Sequence, residues 1–252
     1  ITAPANVTVN VDAGQCDADA ANVTLGNATT ADNCGIQSTT NDAPNTYSVG
    51  TTTVTWTVED VNGRTATATQ TVTVVDNIDP TLTAPADVTV NVDAGACSAD
   101  AANVTLGNPT AADNCSVTTS NDAPSSYPVG TTTVTWTAVD PSGNDVTATQ
   151  TVTVVDNIDP TITAPAAVTV NCDAGACSAA AANVTLGSAT TADNCSVAST
   201  TNDAPNSFPV GTTTVTWTVT DASGRTATAT QDVTVVDNID PTITAPANVT
   251  VN

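Results

Sequence analysis

The sequence contains no lysine, histidine or methionine, and Arg64 and Arg225 are its only cationic side chains. Each absence closes off a class of function. Without His or Lys, the common general bases reduce to carboxylates. Glu59 is the one glutamate, and Val139 and Thr220 take its place further along the chain. Ser and Thr are plentiful but have no His to complete a nucleophilic triad, and no Gly-rich phosphate loop is present. Lys–Asn isopeptide crosslinks cannot form. These absences lead to the expectation that the chain is not an enzyme. The 25 acidic residues leave a net charge of -23, which repels nucleic acid and anionic membrane surfaces and favours cations. No apolar run approaches the ~20 residues of a membrane-spanning helix. With no Met and no signal-peptide pattern, the chain reads as an interior window of a longer polypeptide. Aromatic residues are scarce as well: Trp56, Trp136, Trp217, Tyr47, Tyr127 and Phe208 are all there are.

What is present is a repeat. ITAPANVTVN at 1–10 returns as LTAPADVTVN from Leu82, as ITAPAAVTVN from Ile162 and unchanged from Ile243, at nearly constant spacing. VGTTTVTWT begins at Val49, Val129 and Val210. The period, roughly 80 residues, is the size of a small autonomous domain rather than of a solenoid coil. The expected organisation is 1–79, 80–159 and 160–240, with 241–252 as the first strand of a fourth repeat. The second copy lacks one residue between Cys115 and Asn121, which suggests a surface loop there.

Within the first copy, Val7, Val9 and Val11 alternate with polar residues, and Val54, Trp56 and Val58 alternate with Thr. After the turn signal Asp60-Val61-Asn62-Gly63, Ala66, Ala68, Val72 and Val74 share one parity and Thr the other. Period-2 alternation of β-branched residues marks half-buried strands. Several such strands in every repeat predict an all-β chain, a tandem array of small antiparallel immunoglobulin-like β-sandwich domains. Each Trp falls on the inward parity and reads as a core anchor, with a carbohydrate platform as the alternative. Tyr47, Tyr127 and Phe208 occupy equivalent places and read as packing over the end of the sandwich.

Seven cysteines in a regular scheme suit an oxidising, extracellular compartment. Cys16 and Cys34, Cys97 and Cys115, and Cys177 and Cys195 are separated by the same interval in every repeat. That spacing predicts three disulfides, each inside one repeat and worth about 3 kcal/mol in the chain-entropy model. A metal site would need more than two Cys per repeat and has no His to draw on. Cys172 stands where other copies have Val11 and Val92; it reads as a small buried hydrophobe, with a chain-to-chain disulfide as the sharper alternative and a scrambled pairing with Cys177 or Cys195 as the third.

One acidic motif recurs between repeats: Asp76-Asn77-Ile78-Asp79-Pro80, Asp156-Asn157-Ile158-Asp159-Pro160 and Asp237-Asn238-Ile239-Asp240-Pro241. Pro fixes φ and extends the Asp before it, so the joint is short and stiff. Two Asp and one Asn in so short a stretch are a partial ligand set for Ca²⁺, which takes several oxygens. Candidate ligands are therefore Asp76, Asn77 and Asp79, with Asp156, Asn157 and Asp159, and Asp237, Asn238 and Asp240. Further oxygens could come from Asp60, Asp140 or Asp221 in the turn of the same repeat, or from Asp12, Asp93 or Asp173 of the next. The same residues also suit ordinary turns. Asp32, Asp113 and Asp193, in the Asp-Asn-Cys triplets, read as turn formers. Asn-x-Ser/Thr acceptors stand at Asn6, Asn22, Asn27, Asn103, Asn114, Asn183, Asn194 and Asn248.

The combination of DNIDPTITAPANVTV, ADNC, VGTTTVTWT with a D-x-x-G turn, and TQTVTVVD resembles the hyalin repeat (HYR) family of immunoglobulin-like or fibronectin-like modules. The resemblance covers every repeat. The family's Cys in a TCP motif is replaced by Ala84, Ala164 and Ala245, and its partner position resembles Ala68, Ala148 and Ala229, so that staple is absent. The resemblance implies an adhesive role at the cell surface and no catalysis; near-identical tandem copies look like giant bacterial surface adhesins and filaments. The leading expectation is therefore a stalk or extracellular filament segment whose partners are neighbouring repeats and identical chains. A glycan- or protein-binding adhesion module and a spacer in a secreted hydrolase are the alternatives.

Overall fold

The computed structural model describes residues 1–247. The first repeat shows how the sequence builds its fold. Its strands are β1 (Val7–Asn10), β2 (Asp17–Asp19), β3 (Ile36–Asn41), β4 (Thr46–Ser48), β5 (Gly50–Asp60) and β6 (Thr65–Val75). One sheet has the order β1-β6-β5-β3, and β2 pairs with β4 in a second, smaller one. β5 and β6 form a long antiparallel hairpin from Gly50↔Val74 to Glu59↔Thr65. Their inward residues Val54, Trp56, Val72 and Val74 are buried against Val11, Ala18, Val23 and Tyr47. The alternating Thr residues stand outside, where a β-branched side chain suits the pleat. The turn at the hairpin tip places Gly63 at φ +79, and an added Cβ would meet nothing closer than Glu59 Oε1 at 3.9 Å. Glycine is needed there for backbone conformation, not for lack of room.

The third repeat reproduces this plan, with Val168–Asn171, Thr226–Val236, Gly211–Asp221 and Val197–Asn202 side by side. Its core gathers Cys172, Ala179, Val184, Phe208, Val215, Trp217, Val233 and Val235. The chain is thus all-β, in tandem sandwich-like repeats, as the alternation predicts. Among the described residues helix is confined to single 3-10 turns such as Ala20–Asn22. Among the described residues no helix is long and apolar enough to cross a membrane.

One strand departs from the antiparallel expectation. β1 runs parallel to β6, in the register Val7↔Val72 to Asn10↔Val75, and Val168–Asn171 does the same with Thr226–Val236. The reason is topological. The chain enters a repeat at one pole and leaves it at the other, so its first and last strands must point the same way.

The missing residue of the second repeat also lies elsewhere than expected. β3 carries a bulge between Ile36 and Ser38, and Val197–Asn202 carries one between Val197 and Ser199. In the second repeat Thr118–Asn121 pairs with Gly130–Val139 without a register shift. The deletion removes the bulge of an edge strand, where one unpaired residue is dispensable.

A buried glutamine, overlooked in the strand alternation, organises each core. Trp56 Nε1 donates to Gln70 Oε1 at 3.0 Å, and Gln70 Nε2 donates to the carbonyls of Ala5 and Leu25 at 2.6 and 2.8 Å. Trp136 with Gln150, and Trp217 with Gln231, repeat the arrangement. Gln occupies an inward position in every copy, across from Val54 and Val215 and diagonal to the Trp in the first and third; its recurrence on the inward parity was the available signal. The aromatics at the sandwich end, Tyr47, Tyr127 and Phe208, are each only 1% exposed. Core packing is therefore their role, and none presents a ring face for a glycan.

By its internal contacts the chain divides into two compact units, residues 1–88 with 101–125 and 131–153, and residues 89–100 with 126–130 and 154–252. The division runs through the second repeat. Residues 241–247 carry no strand, and the rest of the expected fourth-repeat strand, with the Asn248 acceptor, lies outside the described residues.

Candidate functional site: the junction between repeats

Cysteine pairing is the largest correction to the sequence reading. The structure joins Cys16 to Cys115 and Cys97 to Cys195, and leaves Cys34, Cys172 and Cys177 free. The expected pairs Cys16–Cys34, Cys97–Cys115 and Cys177–Cys195 do not form. In the first repeat, Val11 N donates to Val75 O at 3.0 Å, which holds the Cys16 loop at the pole where β6 ends. Val61 N donates to Gly35 O at 3.3 Å, which holds Cys34 at the other end of β5. The poles are about 35 Å apart at ~3.3 Å per residue, whereas a disulfide needs α-carbons within about 7 Å. Each bridge therefore staples the trailing pole of one repeat to the leading pole of the next. The bridged α-carbons lie 4.6 Å apart in both cases.

Cys172 is buried in the third core, as its place in the Val11 and Val92 series suggests. Burial, followed by the hydrogen bond to Asp237, pushes its thiol pKa up, so it stays a neutral, unreactive thiol.

In the first unit the bridge sits beside a cluster of oxygens. Carboxylate oxygens of Asp76, Asp113 and Asp140 lie within 4.8 Å of one another. Asp76 and Asp140 are 5% and 6% exposed. Asp76 comes from the trailing pole of the first repeat, while Asp113 and Asp140 come from the Asp-Asn-Cys loop and hairpin turn of the second. Asn114 Nδ2 reaches back to the carbonyl of Gln15 at 2.9 Å, and Asn144 Nδ2 to that of Asp76 at 3.2 Å. Asp76 Oδ2 rests 2.8 Å from Cys115 Sγ. The sulfurs of Cys16 and Cys115 are spent on each other, so they bring no thiolate to a metal.

The second unit repeats the arrangement. Asn194 Nδ2 donates to Ala96 O at 2.8 Å, and Ser223 Oγ approaches Asp156 Oδ2 at 3.4 Å. Carboxylate oxygens of Asp156 and Asp193 lie within 4.8 Å of each other and of Cys195 Sγ. Arg225 Nε reaches Asp159 at 2.7 Å, where the first unit has Asn144.

Oxygen acceptors at both places are buried and have no partner among the described residues. They are Asp113 Oδ1 and Asn114 Oδ1 in the first unit, and Asp193 Oδ1, Asn194 Oδ1 and Asp221 Oδ2 in the second. A buried acceptor without a donor is costly. Burial raises the Asp140 pKa, but hydrogen bonds from the Asn144 side chain and from the backbone of Asn144, Gly143 and Ser142 outweigh it and hold the group below the usual carboxylate value. Asp140 is therefore an anion, ready to meet a cation.

The expected ligands are only partly brought together. Asp76 and Asp156 belong to the clusters, whereas Asn77, Asp79 and Asn157 are exposed and Asp159 is engaged by Arg225. Asp237, Asn238 and Asp240 are exposed as well. Asp140 joins Asp76 from the next repeat, not from the same one. Asp12 binds its own loop, through the amide N of Asp19 and the side chain of Asn22, and Asp173 does the same with Ala180 and Asn183. Those bonds hold the Asp173 pKa low. Asp113 and Asp193 do form turns onto Cys115 and Cys195, as read from the sequence, and in addition bring a free oxygen to the junction.

The chain is 37% identical over 133 residues to Hyalin of Strongylocentrotus purpuratus, an alignment covering 49% of this chain and 11% of that protein. It is 35% identical over 130 residues to Hyalin of Lytechinus variegatus, covering 48% and 24%. The chain thus spans a minor part of the relatives it matches. Among solved structures, mouse Cadherin-23 EC22-24 aligns over 94% of this chain and 96% of its own, at 14% identity and TM-score 0.34. The Protocadherin GammaB4 extracellular domain aligns over 74% and 38%, at 12% identity and TM-score 0.35. The family model for the HYR domain matches residues 75–154 and 155–235, well over half of the sequence, and the chain belongs to that family.

Proposed function

We propose that the chain is a tension-bearing stalk or filament segment of a secreted, repetitive cell-surface adhesin, acting outside the cell and without catalysis. The observation that carries this reading is the overlap of the two bridges, Cys16–Cys115 and Cys97–Cys195. A load applied along the backbone crosses the first bridge at Cys16. It returns along 97–115 and leaves through the second bridge at Cys195. Between Cys16 and Cys195 only that short segment can lengthen, whatever happens to the folded repeats there.

Ca²⁺ at the junctions is part of the same proposal. Asp76, Asp113, Asp140 and the Asn114 amide oxygen would hold the ion in the first unit. Asp156, Asp193, Asp221 and Asn194 would do so in the second. Each set provides four of the roughly 6–8 oxygens that Ca²⁺ takes. A bound cation would satisfy the partnerless acceptors and offset the repulsion between carboxylates.

Single-molecule pulling of the whole chain tests the stalk reading. Oxidised, the stretch between Cys16 and Cys195 should extend to no more than about 75 Å, the segment 97–115 at ~3.6 Å per residue plus the two bridges; reduced, it should reach roughly 640 Å. Equal extension in both states would remove the tether role.

A further inference from the structure

We infer that the two junctions are unequal cation sites, the second the tighter, and that one position in the hairpin turn sets the difference: Asn144 in the first junction and Arg225 in the second. This ranking rests on the cation reading above and adds its order and its cause. Both junctions are internal to the chain, Asp76 meeting Asp113 and Asp140 in one, and Asp156 meeting Asp193 in the other.

The turn aspartates start alike. Asp140 Oδ1 accepts from Asn144 N at 2.8 Å, and Asp221 Oδ1 accepts from Arg225 N at 2.8 Å. They part at the second oxygen. Asn144 is short and tipped with an amide, so its Nδ2 folds back onto Asp140 Oδ2 at 2.8 Å and also reaches the Asp76 carbonyl at 3.2 Å. Arg225 is longer, and its Nε passes to Asp159 Oδ1 at 2.7 Å instead. Asp221 Oδ2 is left buried with no donor among the described residues, on a residue only 1% exposed.

An unsatisfied oxygen on a buried carboxylate is costly, and a hard cation removes that cost by taking the oxygen as a ligand. The other orphaned acceptors match one for one: Asp113 Oδ1 and Asn114 Oδ1 in the first junction, Asp193 Oδ1 and Asn194 Oδ1 in the second. Asp221 Oδ2 is the one that the second junction has in addition. The first junction does gather three carboxylates within 4.8 Å, but the amide of Asn144 already joins Asp140 to the Asp76 carbonyl there. By hydrogen bonding it does part of what a cation would do, so a cation gains less on arrival.

The charge of Arg225 acts in the opposite direction. Its pair with Asp159 is 38% and 62% exposed, and a pair so placed changes an affinity by about fivefold at most. Satisfying one buried, charged acceptor changes it by roughly ten- to a hundredfold. The orphaned oxygen of Asp221 therefore decides the order.

The test titrates calcium chloride calorimetrically into the full chain with both bridges intact. Two steps should appear, about ten- to a hundredfold apart in dissociation constant. Asp221→Asn should remove the tighter step and Asp140→Asn the weaker one. Exchanging the turn residues should exchange the order: Arg225→Asn should weaken the second site about tenfold or more, and Asn144→Arg should tighten the first by a similar factor. A gain of affinity in Asn144→Arg is a readout that loss of structure does not produce. One affinity shared by both sites in the wild type would overturn the inference without any variant. A tighter step that Asp140→Asn removes, or exchanges that leave the order unchanged, would also overturn it, with the cation reading still standing. A chain that takes up no calcium would remove the cation reading itself.

Discussion

The leading poles of the first and third repeats carry nearly the same residues in different surroundings. Asp221 is 1% exposed, Asn194 is half-buried and Cys195 is bridged. Their counterparts Asp60, Asn33 and Cys34 have the same turns but no repeat docked against them. The trailing poles make the same contrast: Asp76 and Asp156 are buried whereas Asp237 is exposed. Local hydrogen bonds therefore shape the pole, and the neighbouring repeat converts it into a buried, cross-linked acidic site.

The cysteines should show the contrast most strongly. Cys115→Ser opens a closed loop of 99 residues and should cost about 4–5 kcal/mol in the chain-entropy model, measured by urea unfolding. Cys34→Ser, at the matching place in the first repeat, should leave the midpoint unchanged. A similar loss in both would erase the distinction between docked and open poles.

Ca²⁺ should stabilise through the docked poles alone. At a concentration of about 100 times its dissociation constant, binding adds about 2.7 kcal/mol, read as a rise in melting temperature that EDTA reverses. Asp113→Asn with Asp140→Asn should abolish the share of the first unit. Asp32→Asn should leave the rise intact.

The buried glutamines sharpen the comparison by not depending on it. Gln70→Ala and Gln231→Ala each strand a Trp N–H and two carbonyls, at about 1–3 kcal/mol per unsatisfied group. Similar losses in the first and third repeats would confirm that the cores are equivalent and that only the poles differ.

Acid should weaken the docked pole in a defined direction. Asp140 titrates below its usual value in the folded chain. Its stabilising contribution is therefore complete above the unfolded-state pKa of ~3.9 and is lost as pH falls through the lower folded value. Asp140→Asn should flatten the stability-versus-pH curve in that acid window.

The smallest effect belongs to Arg225 and Asp159, whose side chains are 38% and 62% exposed. Arg225→Ala should cost no more than about 1 kcal/mol, and less at high salt, where exposed charges are screened.

The three-fold repeat, the hairpin of Val54, Trp56 and Val58 against Val72 and Val74, and the inward aromatics were legible in the sequence. They depend on parity along a strand and on contacts inside one repeat, which linear spacing preserves. The burial of Cys172 was legible for the same reason, by comparison with Val11 and Val92. Only the tertiary structure decided which cysteines meet and which carboxylates cluster. Cys16 and Cys34 are neighbours in sequence but lie at opposite poles, about 35 Å apart along β5. Cys16 and Cys115 are 99 residues apart in sequence yet adjacent in space. Asp76, Asp113 and Asp140 likewise come from three turns that only the docking of one repeat on the next brings together.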